Sequence, residues 1–112
     1  VMIGMKRDPQ FGPCIVFGAG GVYAEVIDDF SFRIAPVDRS EAMDMIAETR
    51  IAKILSGVRG EPQYDIDGIA DALVCISQIA MAHPEIAEID LNPLFVTQHE
   101  TVAVDARLIL SV

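Results

Sequence analysis

The stretch Glu-Ile-Asp-Leu-Asn-Pro, at Glu88–Pro93, decides the fold of this chain. Side chains alternate between the two faces of a β-strand, so the polar residues Asp90 and Asn92 share one face and Ile89 lies on the other. The same alternation continues on both sides of the stretch. We therefore predict a strand over residues 86–96.

A second strand is predicted over Val102–Leu110, joined to the first by a short polar turn. One face of this strand carries Asp105 and Arg107. If the turn is centred on Gln98–His99, Asn92 and Asp105 become directly opposed, with Cβ atoms roughly 5 Å apart. Their oxygen atoms could then share one ion.

The oxygen ligands of this hairpin suit Mg²⁺, which commonly takes one or two carboxylates and completes its shell with water and substrate phosphates. Pro93 restricts the preceding residue to extended backbone and would hold Asn92 in place, with Asp90 beside it. Spacing alone leaves a second interpretation open: Asn-Pro ends a strand, and Asp105 and its acidic neighbours form a solvated face.

The rest of the chain alternates short strands with two helical regions, which predicts an α+β fold in one domain over residues 1–112. Asp38 followed by Glu41 resembles a capping box, and Asp65 or Asp67 could cap the longest helix. The predicted elements are a hairpin of strands 1–6 and 14–17, extended segments at 22–27 and 30–36, a helix over 38–50 that continues toward Gly57, and a helix that ends at His83-Pro84.

Composition limits the possible partners. The chain has 8 Lys and Arg against 17 Asp and Glu, a net charge of −9, so nucleic acid is not expected. No run reaches the roughly 18 to 20 apolar residues of a membrane span. The hydrophobic fraction of 52% predicts an interface as well as a core, and we expect an oligomer. Cys14 and Cys75 lie in apolar runs, as expected of reduced core residues in a cytoplasmic protein.

Two further features are candidates for phosphate contacts. The Gly18–Gly21 segment contains Gly20 and Gly21, which could offer backbone N–H groups to a nucleotide, but the pattern lacks the third glycine of a dinucleotide fingerprint. A plain turn or bulge is the alternative. Arg33, the cation of the extended segment 30–36, could bind a phosphate or form a surface ion pair.

A series of motifs then identifies a family. They are Gly-Met-Lys-Arg-Asp-Pro-Gln-Phe-Gly-Pro at 4–13, Phe-Gly-Ala-Gly-Gly-Val-Tyr-Ala-Glu-Val at 17–26, Phe-Arg-Ile-Ala-Pro at 32–36, Gly-Val-Arg-Gly-Glu-Pro at 57–62, Glu-Ile-Asp-Leu-Asn-Pro-Leu at 88–94 and Val-Asp-Ala-Arg at 104–107. In this order they resemble the NDP-forming acyl-CoA synthetases, acetate–CoA ligase (ADP-forming) among them. The resemblance covers nearly the whole chain.

The resemblance implies an ATP-grasp fold, in which two α+β lobes hold ATP between them. This chain would be the second, C-terminal lobe, a mainly antiparallel sheet with helices on one face, cut from a larger protein. In that family and in the related succinyl-CoA synthetase β subunit, the matching residues imply that Asn92 and Asp105 bind the Mg²⁺ of the nucleotide. Asp90 would lie near the metal and the docking site of a phosphorylated histidine.

The family reaction converts acyl-CoA, ADP and phosphate to acid, CoA and ATP, or the reverse, through an acyl phosphate and a phosphohistidine. The implied partners are the first ATP-grasp lobe and the CoA-binding domains or subunit that carry the phosphohistidine. His83 and His99 do not resemble that histidine, so the chain is expected to be inactive alone. A regulatory module, such as a synthetase-like region of an acetyltransferase, and a binding domain of unrelated purpose are the alternatives.

Overall fold

The computed structural model describes residues 1–20 and 28–111. The extended segment predicted over 22–27 lies outside the described residues. The elements are β1 (Met2–Asp8), β2 (Gly12–Gly18), β3 (Phe30–Ile34), α1 (Arg39–Ala47), α2 (Ala52–Leu55), α3 (Ile66–Ala82), β4 (Ile86–Leu91), β5 (Leu94–Val96), β6 (Thr101–Ala103) and β7 (Ala106–Leu110).

Five strands form one antiparallel sheet in the order β3-β2-β1-β4-β7, and β5 pairs with β6 in a separate two-stranded sheet. The predicted first hairpin is confirmed as β1 and β2. Asp8 stabilises its tip, because the carboxylate accepts hydrogen bonds from the backbone N–H groups of Gln10 and Phe11 at 2.8 and 2.9 Å. The predicted α+β fold with a mainly antiparallel sheet is therefore confirmed.

The core lies between one face of the five-stranded sheet and the helices. Alternate residues of β1 and β2 are fully buried there, and α1 and α3 supply the other side of the core. The largest fully buried apolar side chains are Phe17, Ile3, Ile15, Met45, Ile69 and Leu73. Burying one such side chain contributes roughly 1.5–3 kcal/mol. The helices cover one face of the sheet, and the opposite face is left open for a site.

The predicted helix over 38–50 is shorter than expected. Asp38 does cap it, since its side chain accepts from the N–H of Glu41 at 2.8 Å, but α1 ends at Ala47. Asp29, only 6% exposed, then accepts hydrogen bonds from the N–H groups of Arg50 and Ile51 at 2.8 and 2.9 Å. These N–H groups stand just before the short helix α2. A carboxylate from another part of the chain thus divides the helical region in two.

The long helix α3 is confirmed, with Asp65 as its N-cap, accepting from the N–H of Gly68 at 3.0 Å. Its C-terminal carbonyl groups are bound by Arg7 of β1. The guanidinium donates to the carbonyl oxygens of Ala80, His83 and Ile86 at 2.6 to 2.7 Å. This cation satisfies carbonyls that have no partner within the helix and fixes α3 against the sheet.

The second predicted hairpin needs a correction, because neither of its strands is continuous. The first breaks after Leu91, where Pro93 supplies no backbone N–H, and continues as β5. The second is divided into β6 and β7 around Asp105. The chain therefore leaves the large sheet and forms its own two-stranded extension beyond Asn92.

Two smaller observations concern the cysteines and the membrane. Cys14 is half-buried and Cys75 is exposed on α3, so Cys75 is not the core residue expected from its apolar surroundings; both are free thiols. Within residues 1–20 and 28–111, none of the helices has the length and apolar character of a membrane span.

The Arg7 contacts predict a stability effect. Arg7→Met keeps much of the side-chain volume but leaves three carbonyl groups without their charged donor, so we expect the free energy of unfolding to fall by roughly 1–3 kcal/mol. Lys6→Met is the matched control, because Lys6 is exposed and its ion pair within the described residues is a long one, 3.8 Å from Glu88. Urea unfolding measures both. A loss for Arg7→Met no larger than that for Lys6→Met would show that these contacts do not stabilise the fold.

Candidate functional site

The register of β4 and β7 brings two predicted ligands together. Asp90 pairs with Arg107 and Leu91 with Ala106, and the same register continues into a hydrogen bond of 3.1 Å from the N–H of Asn92 to the carbonyl oxygen of Asp105. The predicted opposition of Asn92 and Asp105 across the hairpin is therefore present. It lies between the two sheets, where β4 and β7 end and the smaller hairpin begins.

Gly20 lies against Asn92, so the structure brings these two predicted site residues together. A Cβ atom added to Gly20 would lie 2.9 Å from Oδ1 of Asn92 and 2.8 Å from the carbonyl oxygen of Val1. Real Cβ atoms do not approach other atoms so closely, and the Val1 neighbour is backbone that cannot rotate away. Only glycine fits there without displacing a neighbour. Gly21, the other predicted glycine, lies outside the described residues.

The hairpin beyond Asn92 is held on two sides. Val1 and Leu94 exchange hydrogen bonds of 2.7 and 3.2 Å through their backbone groups. On the other side, the Oγ1 of Thr101 donates to Oδ2 of Asp65 at 3.1 Å, and the N–H of Asp65 donates to the carbonyl of Thr97 at 2.8 Å. The position of the Asn92 backbone is thus fixed from both the sheet and α3, as a precise ligand site requires.

Asp90 lies on the open face of the large sheet, in a shallow groove. Its neighbours across the strands are Gly4 on β1 and Arg107 on β7. Val16 fills the place that a side chain of Gly4 would take, since a Cβ atom added there would lie 2.9 Å from Cγ1 of Val16. The groove also includes Met2, Lys6, Cys14, Val16, Phe32 and Glu88. Asn92 and Asp105 lie just beyond the ends of β4 and β7, the strands that carry Asp90 and Arg107.

The groove has a mixed electrostatic character. Lys6 lies 3.8 Å from Glu88, and Arg7 donates hydrogen bonds from Nε and Nη2 to three carbonyl oxygens. Cys14 is a thiol whose pKa is raised, first by burial and then by the nearby negative charge of Asp8. A raised pKa keeps the thiol protonated at neutral pH, so Cys14 contributes apolar surface rather than a nucleophile.

Arg33 is not brought to this site. It lies on the helix-covered face of β3, in the row that contains Ile15 and Met5, whereas Asp90 belongs to the open face. Its guanidinium forms a bidentate ion pair with Glu48 at the end of α1. Three strand spacings, roughly 14 Å, separate β3 from β4. The structure therefore shows the ion pair, which was the alternative to a phosphate contact for Arg33.

The residues present fit Mg²⁺ bound together with a nucleotide, and they do not fit a metal held by protein alone. Among residues 1–20 and 28–111 there is no group of three or more His, Cys, Asp or Glu side chains that could hold an ion. An amide oxygen and a carboxylate, as at Asn92 and Asp105, are hard oxygen donors of the kind that Mg²⁺ combines with phosphates and water. The remaining ligands would have to come with the substrate.

The structure is a two-layer α+β unit in which the helices cover one face of the sheet. Comparison with known proteins identifies the family: residues 1–110 match the ATP-grasp domain family, and the chain belongs to that family. The predicted ATP-grasp fold is thereby confirmed.

Several curated relatives are ADP-forming acetate–CoA ligases. The chain is 53% identical over 110 residues to acetate–CoA ligase (ADP-forming) I of Archaeoglobus fulgidus, covering 98% of this chain and 16% of that protein. It is 47% identical to the β subunit of the corresponding Pyrococcus furiosus enzyme, covering 98% of this chain and 47% of the subunit. The chain thus spans about half or less of the length of these relatives.

Among solved structures, the chain resembles the dinucleotide-forming acetyl-coenzyme A synthetase 1 of Candidatus Korarchaeum cryptofilum. The TM-score is 0.93 at 46% identity, and the match covers 98% of this chain and 52% of that one. That protein was solved in complex with coenzyme A and Mg-AMPPCP, with its phosphohistidine segment pointing towards the nucleotide-binding site. A structure of the same synthetase with Ca-AMPCP also matches, with a TM-score of 0.91.

The Arg33–Glu48 pair predicts a pH dependence of stability. The hydrogen bond from Arg33 lowers the pKa of Glu48, so the stabilisation is present above the usual glutamate pKa and is lost as the pH falls through the lowered value. Arg33→Gln should therefore destabilise the chain slightly at pH 7, and the difference from wild type should shrink by pH 3. Urea unfolding at both pH values tests this, and a difference that grows on acidification contradicts the pairing.

The tight contact at Gly20 predicts a local effect. Gly20→Ala should move the Asn92 side chain or the Val1 backbone, since the added methyl group overlaps both, and overpacking of this kind costs typically 1–3 kcal/mol. Thermal unfolding measures the loss, and ¹H–¹⁵N spectra should show the Asn92 side-chain amide among the most shifted signals. An unshifted Asn92 amide would mean that Gly20 does not shape the site.

Proposed function

We propose that this chain is the nucleotide- and Mg²⁺-binding lobe of an ADP-forming acyl-CoA synthetase. The reaction is acyl-CoA, ADP and phosphate to acid, CoA and ATP, or the reverse. The observation that carries the proposal is the backbone pairing of Asn92 with Asp105 beside Asp90, at the edge of an open sheet face. The identity of 53% to an acetate–CoA ligase supports the assignment of the reaction.

In this proposal, Asn92 and Asp105 hold the Mg²⁺ of the nucleotide. When bound, the ion neutralises developing charge on the phosphate oxygens. The contribution of the chain is to position the ligands: the hydrogen bond of 3.1 Å from the N–H of Asn92 to the carbonyl oxygen of Asp105 holds the two residues together just beyond the ends of β4 and β7. Phosphoryl transfer depends mainly on such positioning and on electrostatic stabilisation, so a fixed pair of oxygens is what the reaction requires.

Asp90 is proposed to receive the histidine that exchanges the phosphoryl group with the nucleotide. In ATP formation, the β-phosphate oxygen of ADP attacks phosphorus, the P–N bond breaks, and its electron pair returns to the imidazole nitrogen. The carboxylate of Asp90 would accept a hydrogen bond from the other ring N–H and orient the ring. Its location in the groove, where it is only half-buried, supports this role.

The chain needs partners for this activity. The first ATP-grasp lobe would close over the nucleotide, and CoA-binding domains or a separate subunit would carry the phosphohistidine, as the segment described in the Korarchaeum synthetase suggests. We propose that the chain is inactive alone and works in an oligomeric assembly. Free thiols at Cys14 and Cys75 support a cytoplasmic location.

The test is Asp105→Asn in the full-length synthetase. Removing one negative ligand should raise the Mg²⁺ concentration needed for half-maximal activity and lower acyl-CoA-dependent ATP formation by roughly 10- to 100-fold, because the charge that binds the ion is lost. Asp44→Asn, on the exposed side of α1, is the control of equal charge. Steady-state rates across a Mg²⁺ titration measure both variants.

Two outcomes contradict the proposal at different levels. An unchanged Mg²⁺ dependence in Asp105→Asn would remove Asp105 from the metal site. Absence of nucleotide-dependent turnover in the wild-type assembly, with first lobe and CoA-binding part present, would contradict the enzymatic function itself and favour a regulatory module.

A further inference from the structure

The groove contains one arginine that makes no hydrogen bond or ion pair with the other residues that the structure describes. Lys6 pairs with Glu88 at 3.8 Å, and Arg7 donates to three carbonyl oxygens. Arg107 also lines the groove, but it forms neither a hydrogen bond nor an ion pair with another residue in the described part of the chain. Its guanidinium is therefore available to a ligand.

Arg107 lies close to both parts of the proposed site, Asp90 and the metal ligand Asp105. It lies directly opposite Asp90 in the register of β4 and β7. It also follows Asp105, which lies just before β7, by two residues, so the two Cα atoms are roughly 7 Å apart. An arginine side chain can span such a distance. Arg107 therefore lies beside the proposed docking site of the histidine and within reach of the proposed metal ligands.

A phosphoryl group beside Asp90 would be repelled by the negative charges of the groove unless a cation lies nearby. Asp90 and Glu88 are both acidic and both line the groove. The positive charge of Lys6 is paired with Glu88, at 3.8 Å. A phosphoryl dianion beside Asp90 would be repelled by that carboxylate unless a positive charge compensates. Among the cations of the groove, Arg107 is the one that lies opposite Asp90 and makes no hydrogen bond or ion pair within residues 1–20 and 28–111.

We propose that Arg107 binds the oxygen atoms of the phosphoryl group while it passes between the nucleotide and the histidine at Asp90. The inference rests on the proposed function and adds a residue to it. A planar guanidinium can donate two parallel hydrogen bonds to phosphate oxygens, and in this way it holds the group in line between its two partners. Arg107 takes no part in Mg²⁺ binding, which distinguishes its role from that of Asp105.

The experiment uses the full-length synthetase with Arg107→Gln, Arg107→Lys and, as control, Arg39→Gln. Arg39 lies on α1, on the helix-covered side, where it pairs with Asp67 and Asp71. Transfer of ³²P from labelled ATP to the histidine should fall by roughly 10- to 100-fold in Arg107→Gln. Arg107→Lys should restore part of the rate, because it keeps the charge and loses the bidentate geometry.

A second readout does not depend on turnover. Calorimetric titration with Mg-AMPPCP should show affinity reduced by roughly 5- to 10-fold in Arg107→Gln, with the Mg²⁺ concentration for half-saturation unchanged. Arg39→Gln should match the wild type in both assays. Thermal unfolding should show all variants folded, since Arg107 is exposed and its strand is held by backbone pairing.

The outcomes separate the two proposals. If wild type and Arg107→Gln transfer phosphate and bind Mg-AMPPCP equally, Arg107 has no phosphoryl role, although the proposed function stands. If Arg107→Gln instead raises the Mg²⁺ requirement, the residue acts on the metal site and the inference is wrong. If the wild type neither binds Mg-AMPPCP nor labels the histidine, the proposed function and this inference both fail.

Discussion

The backbone pairing of β4 with β7 is the constraint on which the site depends. It places Asp90 opposite Arg107, and it continues one step further to join Asn92 to Asp105 by a hydrogen bond of 3.1 Å. A shift of one residue in this register would turn every side chain of β7 to the other face. Asn92 and Asp105, the proposed ligands, would then be separated, and Arg107 would no longer share a face with Asp90.

The rest of the fold protects this register. The helices bury one face of the sheet, so the sheet cannot rotate or slip without exposing Ile3, Ile15 and Phe17. Arg7, on β1, donates hydrogen bonds to carbonyl oxygens of α3 and β4. At the start of α3, Asp65 accepts a hydrogen bond from Thr101 of the small hairpin. Every residue of β7 is exposed, so its position depends on pairing with β4 more than on side-chain burial.

Short-range features of the fold could be predicted from the sequence. The register at Asn92 and Asp105 follows from the four-residue turn of residues 97–100. In this turn, the N–H of Thr97 donates to the carbonyl oxygen of Glu100 at 2.8 Å. The hydroxyl of Thr97 accepts from the N–H groups of His99 and Glu100. A polar turn between alternating strands is a local pattern, and it sets which residues oppose each other. The caps Asp38 and Asp65 are equally local.

Features that depend on distant residues could not be predicted. Asp29 divides the helical region from 21 residues away, Arg7 reaches a carbonyl 79 residues later, and Arg33 finds Glu48 across 15 positions. In each case a charged side chain satisfies groups that neighbour it only after folding. For the same reason, the sequence left open whether Arg33 binds a phosphate or forms a surface ion pair, and only the register of β4 and β7 places Arg107 opposite Asp90.

The central claim is that one edge of the open sheet face receives the metal of a nucleotide. The most direct measurement replaces Mg²⁺ by Mn²⁺ in the full-length protein with bound nucleotide and records the paramagnetic broadening of backbone amide signals. The amide signals of Asn92, Asp105 and Gly20 are expected to broaden first, and the amide signal of Arg33 is expected to stay sharp. Broadening centred on the exposed carboxylates Asp67 and Asp71, with Asn92 and Asp105 unaffected, would contradict it.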